Sequence, residues 1–137
     1  MLGRSYPTGM STAPYHRIDI LESSRRIRVV VAGETLADTA HARFLFETTL
    51  PVRYYIPKSD VRLDLLEESE SVTVCAYKGT TSKYWKVKGA TRDVAWCYES
   101  PSPEVARIAG LISFFNERVD SIFVDGVEVP RPQTQWS

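Results

Sequence analysis

The run Lys83-Tyr84-Trp85-Lys86-Val87-Lys88, followed by Gly89-Ala90 and then by Arg92-Asp93-Val94-Ala95-Trp96-Cys97-Tyr98-Glu99, decides the fold class. Both stretches are rich in aromatic and β-branched residues, and a glycine sits where the chain must reverse, so they read as two strands of an antiparallel pair. Strand parity puts Val94, Trp96 and Tyr98 on one face of the second run and Ala95 and Cys97 on the other. Upstream, Ser71-Val72-Thr73-Val74-Cys75-Ala76-Tyr77 is a third strand, and Lys78-Gly79-Thr80-Thr81 is the bend that follows it. The three are expected to form an antiparallel meander.

The same patterning extends in both directions. His16 to Glu22 alternates, with Ile18 and Ile20 on one face, and Arg26-Ile27-Arg28-Val29-Val30-Val31 ends as the β-branched run of an inner strand. Two short strands are expected at Thr35–Asp38 and Ala42–Glu47. Arg53-Tyr54-Tyr55-Ile56 is a further strand, stopped by Pro57, which has no ladder donor. Arg53 and Tyr55 share one of its faces, Tyr54 and Ile56 the other. Val61–Leu66 fits a helical turn or a strand equally well, and Glu67-Glu68-Ser69-Glu70 reads as an acidic, solvated turn. Downstream, Ser102-Pro103-Glu104 is a helix start with a hydroxyl cap, and Gly110 can end that helix. Leu111–Phe115 and Val119–Val124 read as strands, and Asp125-Gly126 is a strong hairpin signal before Val127.

The sequence of 137 residues is enough for one ordinary domain, expected over residues 15–130, with a flexible leader over 1–14 and a patternless tail over 131–137. Lys plus Arg and Asp plus Glu each number 17, a formal charge of zero, which argues against a surface built for nucleic acid. No apolar stretch has signal-peptide or membrane-spanning length, so a soluble, cytoplasmic protein is expected. The two cysteines, Cys75 and Cys97, lie in strands and are expected to be reduced and buried. They form no C-x-x-C pair, and neither His16 nor His41 lies near another ligand type, so no metal or other cofactor is expected. Phosphate-loop, dinucleotide-binding, nucleophile-elbow and H-E-x-x-H signatures are absent.

Three constellations could carry chemistry. Arg53, Tyr55 and Asp60 offer a fixed cation, a phenol and an acid, a way to orient a carboxylate or phosphate beside an aromatic wall. The plainer reading has Tyr55 filling the core while Arg53 pairs with Glu47 or Asp60. Cys75 and Tyr77 share a strand face beside Lys78, but parity turns Lys78 away unless the bend at Gly79 redirects it. Lysines interleaved with Tyr84 and Trp85 resemble a stacking surface for single strands, against which stands the neutral total charge.

Arg53-Tyr54-Tyr55-Ile56-Pro57-Lys58-Ser59-Asp60-Val61, Cys75-Ala76-Tyr77-Lys78-Gly79, Tyr84-Trp85 and Ala95-Trp96-Cys97-Tyr98, with the Val31–Asp38 opening, together resemble the bacterial and fungal family called domain of unknown function 427. The likeness runs from Ile27 to about Val124. It implies a β-tent: two antiparallel sheets joined along one edge and splayed at the other. The zinc-holding C-x-x-C pairs of other β-tent families are missing, and Ala76 stands where members of this family commonly carry Pro. The resemblance also implies one shared cleft for these motifs.

The leading expectation is therefore a mainly β protein binding a small anionic or aromatic ligand between its sheets. Arg53 and Lys78 would supply charge, Tyr55 and Tyr77 hydrogen bonds, and Trp85 and Trp96 the walls. Asp60, Cys75 and Tyr84 complete the candidate set. A small enzyme using Cys75 or Asp60, and an interaction module or homodimer built on exposed strands, are the alternatives.

Overall fold

The computed structural model describes residues 16–71, 74–75, 78–80 and 83–137, without the side chains of 74, 75 and 80. The expected leader over 1–14 and Tyr77 lie outside the described residues. Among the described residues thirteen strands follow in chain order: β1 (Ile18–Glu22), β2 (Ile27–Val31), β3 (Glu34–Thr39), β4 (Arg43–Glu47), β5 (Arg53–Ile56), β6 (Leu66–Ser69), β7 (Val74–Cys75), β8 (Gly79–Thr80), β9 (Lys83–Val87), β10 (Asp93–Cys97), β11 (Ile112–Phe114), β12 (Ser121–Val124) and β13 (Val127–Glu128). Short 3-10 turns occupy Lys58–Asp60, Leu63–Leu65 and Pro103–Ile108.

These strands build two antiparallel sheets, as expected, of seven strands in the order β1-β4-β5-β11-β10-β9-β6 and of four in the order β13-β12-β2-β3. β7 and β8 form a small separate pair. The space between the two large sheets is filled. Ile27, Val29, Leu36 and Ile122 of the smaller sheet meet Tyr54, Ile56, Trp85, Ile112 and Phe114 of the larger in one packed core. The far face of the larger sheet carries a second core of Leu45, Tyr55, Trp96 and Tyr98, capped by Val105 and Ile108 from the Pro103–Ile108 turn. The period of two thus serves two apolar layers, which is why β5 is buried at all four positions.

Four local expectations change. The third strand of the meander is β6, which pairs with β9 from Leu66↔Val87 to Ser69↔Tyr84, whereas β7 pairs with β8. The acidic stretch is therefore part of an edge strand: Leu66 is buried while Glu67 and Glu68 face solvent, and charge on a free edge discourages pairing with another chain. Val94 joins the inter-sheet core and leaves Trp96 and Tyr98 on the opposite face, because a bulge shifts the β9–β10 register between Asp93 and Ala95. The Ser102 hydroxyl caps nothing, and the turn after it breaks helical geometry at Val105.

The hairpin at Asp125-Gly126 is as read, with both residues at positive φ (51° and 82°), the conformation a two-residue antiparallel turn requires. The last segment folds back onto the domain: Thr134 Oγ1 donates to Glu117 Oε2 at 2.6 Å, and Trp136 packs against the far-face core.

Candidate functional site

The 3-10 turn at Pro103–Ile108 covers part of the far face of the seven-stranded sheet and leaves the rest open. There a cleft of about 640 Å³ forms, within the size range of small-molecule sites. It lies on the outer side of that sheet and not in the packed core between the two sheets. Strand parity accounts for the choice: the face of β5 and β10 that carries Arg53, Tyr55, Trp96 and Tyr98 is the one that the smaller sheet does not cover.

Arg53 sits at the base of this cleft. Its guanidinium makes a two-pronged pair with Glu117 (Nη1–Oε1 2.6 Å, Nη2–Oε2 2.8 Å), and Nη1 also donates to Asn116 Oδ1. The acid partner is thus Glu117, not Glu47 or Asp60. Indole rings flank the cation, Trp96 at 5.2 Å and Trp136 at 5.7 Å from its carbon to the ring centroids. Burial pushes the Glu117 carboxyl up, but hydrogen bonds from Arg53 and Thr134 outweigh it and leave the group below the ordinary glutamate range. Tyr55 is completely buried beneath, and its oxygen accepts a hydrogen bond from Trp96 Nε1 at 3.1 Å. Burial holds its phenol protonated far above the usual range.

Lys78 reaches the cleft because the chain bends at Gly79, whose φ of +101° favours glycine. A β-carbon there would lie 3.3 Å from Ser102 N, and the same stretch is tied down by Ser102 N–H donating to the Lys78 carbonyl at 3.0 Å. The Lys78 ammonium is buried and bonds Glu47 Oε1, while Glu47 Oε2 lies 3.1 Å from His16 Nε2. Glu47 is on this face by the same parity that puts Leu45 there.

Arg118 completes the charged lining. Its guanidinium stacks on Phe115, 4.0 Å from the ring centroid. Nε donates to the Trp136 carbonyl at 2.8 Å and Nη1 to the Asp93 carbonyl at 2.9 Å. Unlike Arg53 and Lys78, it forms no ion pair with a carboxylate among the described residues. Three of its five N–H donors have no acceptor among the described residues. Tyr84, Phe115, Trp96 and Trp136 supply aromatic wall around it.

Of the sequence candidates, Arg53, Lys78, Tyr84 and Trp96 line the cleft, with Tyr55 directly beneath. Trp85 does not: one residue from Tyr84 on β9, it points into the inter-sheet core. Asp60 is also elsewhere, in the 3-10 turn after β5, where it accepts a hydrogen bond from Thr39 Oγ1 at 2.7 Å. Tyr77 and the side chain of Cys75 lie outside the described residues. Sequence reading missed Arg118, Glu117 and Trp136 as site residues. They come from a loop and from the last segment, and neither has a periodicity that assigns a face.

Cys97 is buried in the inter-sheet layer, and burial, with Glu99 nearby, pushes its thiol up to about 11. In a Cys75→Ser background, native protein is expected to react with an aromatic disulfide reagent at neutral pH at least tenfold more slowly than unfolded protein, since the thiolate is the nucleophile. Equal rates would mean that the thiol is neither shielded nor held protonated.

Among the described residues no three His, Cys, Asp or Glu side chains cluster as metal ligands, and no helix is long and apolar enough to cross a membrane. A comparison with curated proteins found no match. A family model described as a domain of unknown function (DUF427) matches residues 19–125, which reaches every strand of the two large sheets except β13 and takes in most of the cleft, and the chain belongs to that family.

Proposed function

We propose that the protein binds a small ligand combining a flat aromatic ring with a negatively charged group in the cleft on the outer face of the seven-stranded sheet. The observation that carries this reading is Arg118: a guanidinium facing an aromatic-walled cleft, with N–H donors to spare and no ion pair among the described residues, though the charges of Asp93 and Glu117 act on it from nearby. A half-buried cation left in that state is stabilised by an incoming anion, and a ring on the same ligand replaces water against Tyr84, Phe115 and Trp136. Arg53 and Lys78 are already neutralised by Glu117 and Glu47. Their part is to hold Trp96 and the cleft base in place, so the charged contact falls to Arg118. Asp60 is committed to Thr39 away from the cleft, so the geometry gives no support to an enzyme built on that acid.

Anilinonaphthalene sulfonate, an aromatic anion, provides the test. Calorimetry on the native protein is expected to show one-to-one binding, weakened on the order of tenfold in Arg118→Gln, since a hydrogen bond to a charged group contributes about 1.5–3 kcal/mol. Trp136→Ala is expected to weaken it as well, by removing a wall. Absence of binding, or binding indifferent to both substitutions, would overturn the assignment.

A further inference from the structure

Lys78, Glu47 and His16 form a chain of three groups in the wall of the cleft. The Lys78 ammonium bonds Glu47 Oε1, and His16 Nε2 lies 3.1 Å from the other carboxylate oxygen. An ion pair buried this deeply adds little to stability over two apolar side chains of the same volume, so its place in a ligand-sized cleft calls for a second reason. Chemistry supplies one. A nucleophile within hydrogen-bond reach of a proton acceptor, itself positioned by a third group, is the arrangement that activates side chains for covalent catalysis. The sequence has five lysines, and among the described residues Lys78 alone lines the cleft. Lys58 and Lys83 also meet acids, Glu99 and Glu68, but out in solvent, where water screens the pair.

We infer that Lys78 is an amine nucleophile that forms an imine with a small carbonyl compound in the cleft, with Glu47 moving the protons. The inference rests on the cleft reading above and names the reactive group of the ligand: an aromatic aldehyde whose anionic substituent meets Arg118. A ring entering the cleft displaces water that stabilises the separate charges of the pair. Transfer of a proton from Lys78 Nζ to Glu47 Oε1 then leaves an amine and a carboxylic acid, two neutral groups that need no such water. The nitrogen lone pair attacks the carbonyl carbon as the C=O π pair moves to oxygen. Glu47 gives its proton to that oxygen and takes one from the nitrogen, which yields a carbinolamine. It then protonates the hydroxyl, water leaves, and the nitrogen lone pair closes the C=N bond. One ammonium and one aldehyde thus become one iminium and one water, and Glu47 is a carboxylate facing a cation at both ends of the sequence. A ligand without a carbonyl leaves Lys78 in its pair with Glu47.

Reductive trapping tests this. With 4-formylbenzenesulfonate and cyanoborohydride at neutral pH, native protein is expected to carry the reduced adduct on Lys78 about tenfold faster or more than on Lys58, Lys83, Lys86 or Lys88, as read by peptide mass mapping, and unfolding in urea should abolish the preference. Glu47→Gln keeps a hydrogen-bonding oxygen but takes up no proton, and is expected to slow trapping at Lys78 by about tenfold or more. Circular dichroism checks its fold, and Glu47→Asp, which retains the acid, should recover part of the rate. The comparison among wild-type lysines does not depend on either variant folding. Trapping at Lys78 no faster than at the other lysines, or a rate in folded Glu47→Gln equal to wild type, would overturn the inference. Where anilinonaphthalene sulfonate binds through Arg118 and Lys78 shows no preference, the imine fails and the cleft reading stands. Where neither occurs, both fail. Selective trapping of Lys78 in a protein that does not bind the sulfonate dye keeps the nucleophile and removes the anion contact.

Discussion

Glu117→Ala is expected to lower the free energy of unfolding by about 3–5 kcal/mol, the usual cost of deleting one partner of a buried ion pair. The Glu117 side chain is wholly buried and that of Arg53 almost so, at 0% and 8% exposure. Without the carboxylate, the guanidinium keeps, among the described residues, only Asn116 Oδ1 as an acceptor between two indoles. Thr134 loses its acceptor too, so the segment that carries Trp136 loosens. Urea denaturation measures the loss, and a change below 1 kcal/mol would mean that water or another acid takes over.

The same pair gives a pH dependence whose sign follows from the direction of the shift. The Glu117 carboxyl is depressed in the folded protein, so the unfolded chain takes up its proton first as pH falls. Its contribution is therefore complete above the ordinary glutamate range and is lost as pH drops through the depressed native value. Wild-type stability should decline with acidity more steeply than that of Glu117→Gln across that window. Parallel curves would show that Glu117 does not titrate differently in the two states.

How far the sequence carries a reader depends on whether a feature is periodic. The alternation in Arg53-Tyr54-Tyr55-Ile56 separates Tyr55 from Tyr54, and the structure puts these two in different cores. Asp125-Gly126 encodes its turn in two residues, because few other pairs tolerate positive φ at both positions. Alternation cannot say which face the second sheet covers, so the cleft lies on the opposite side of the larger sheet from the one expected, and Trp85 points away from it. Nor does a bulge announce itself: Val94 departs from parity through a register shift that depends on β9. The same limit applies to β6, where Glu67 and Glu68 read as a turn by composition but pair with Lys86 and Trp85 as a strand edge. Arg118 and Trp136 meet only because a loop and the final segment pack on a finished sheet.

The second large effect concerns Lys78 and Glu47, whose side chains are 10% and 4% exposed. Lys78→Met is expected to cost about 3–5 kcal/mol, because it leaves a buried carboxylate with His16 as its neighbour. Adding Glu47→Leu removes the stranded charge, and the double variant should recover at least half of the loss, since an apolar pair of similar volume can replace a buried ion pair at little cost. The coupling energy from the four proteins is then the measured quantity, and non-additivity of about 2 kcal/mol or more is expected for groups in direct contact. Additive losses would mean that Lys78 stabilises the fold through the packing of its stem, not its charge. Ligand binding separates the two roles further: the double variant keeps Arg118, so its affinity for an aromatic anion should stay within about threefold of wild type. A larger fall would bring the Lys78 ammonium into direct contact with the ligand and change its role from holding the cleft open to recognising what enters it.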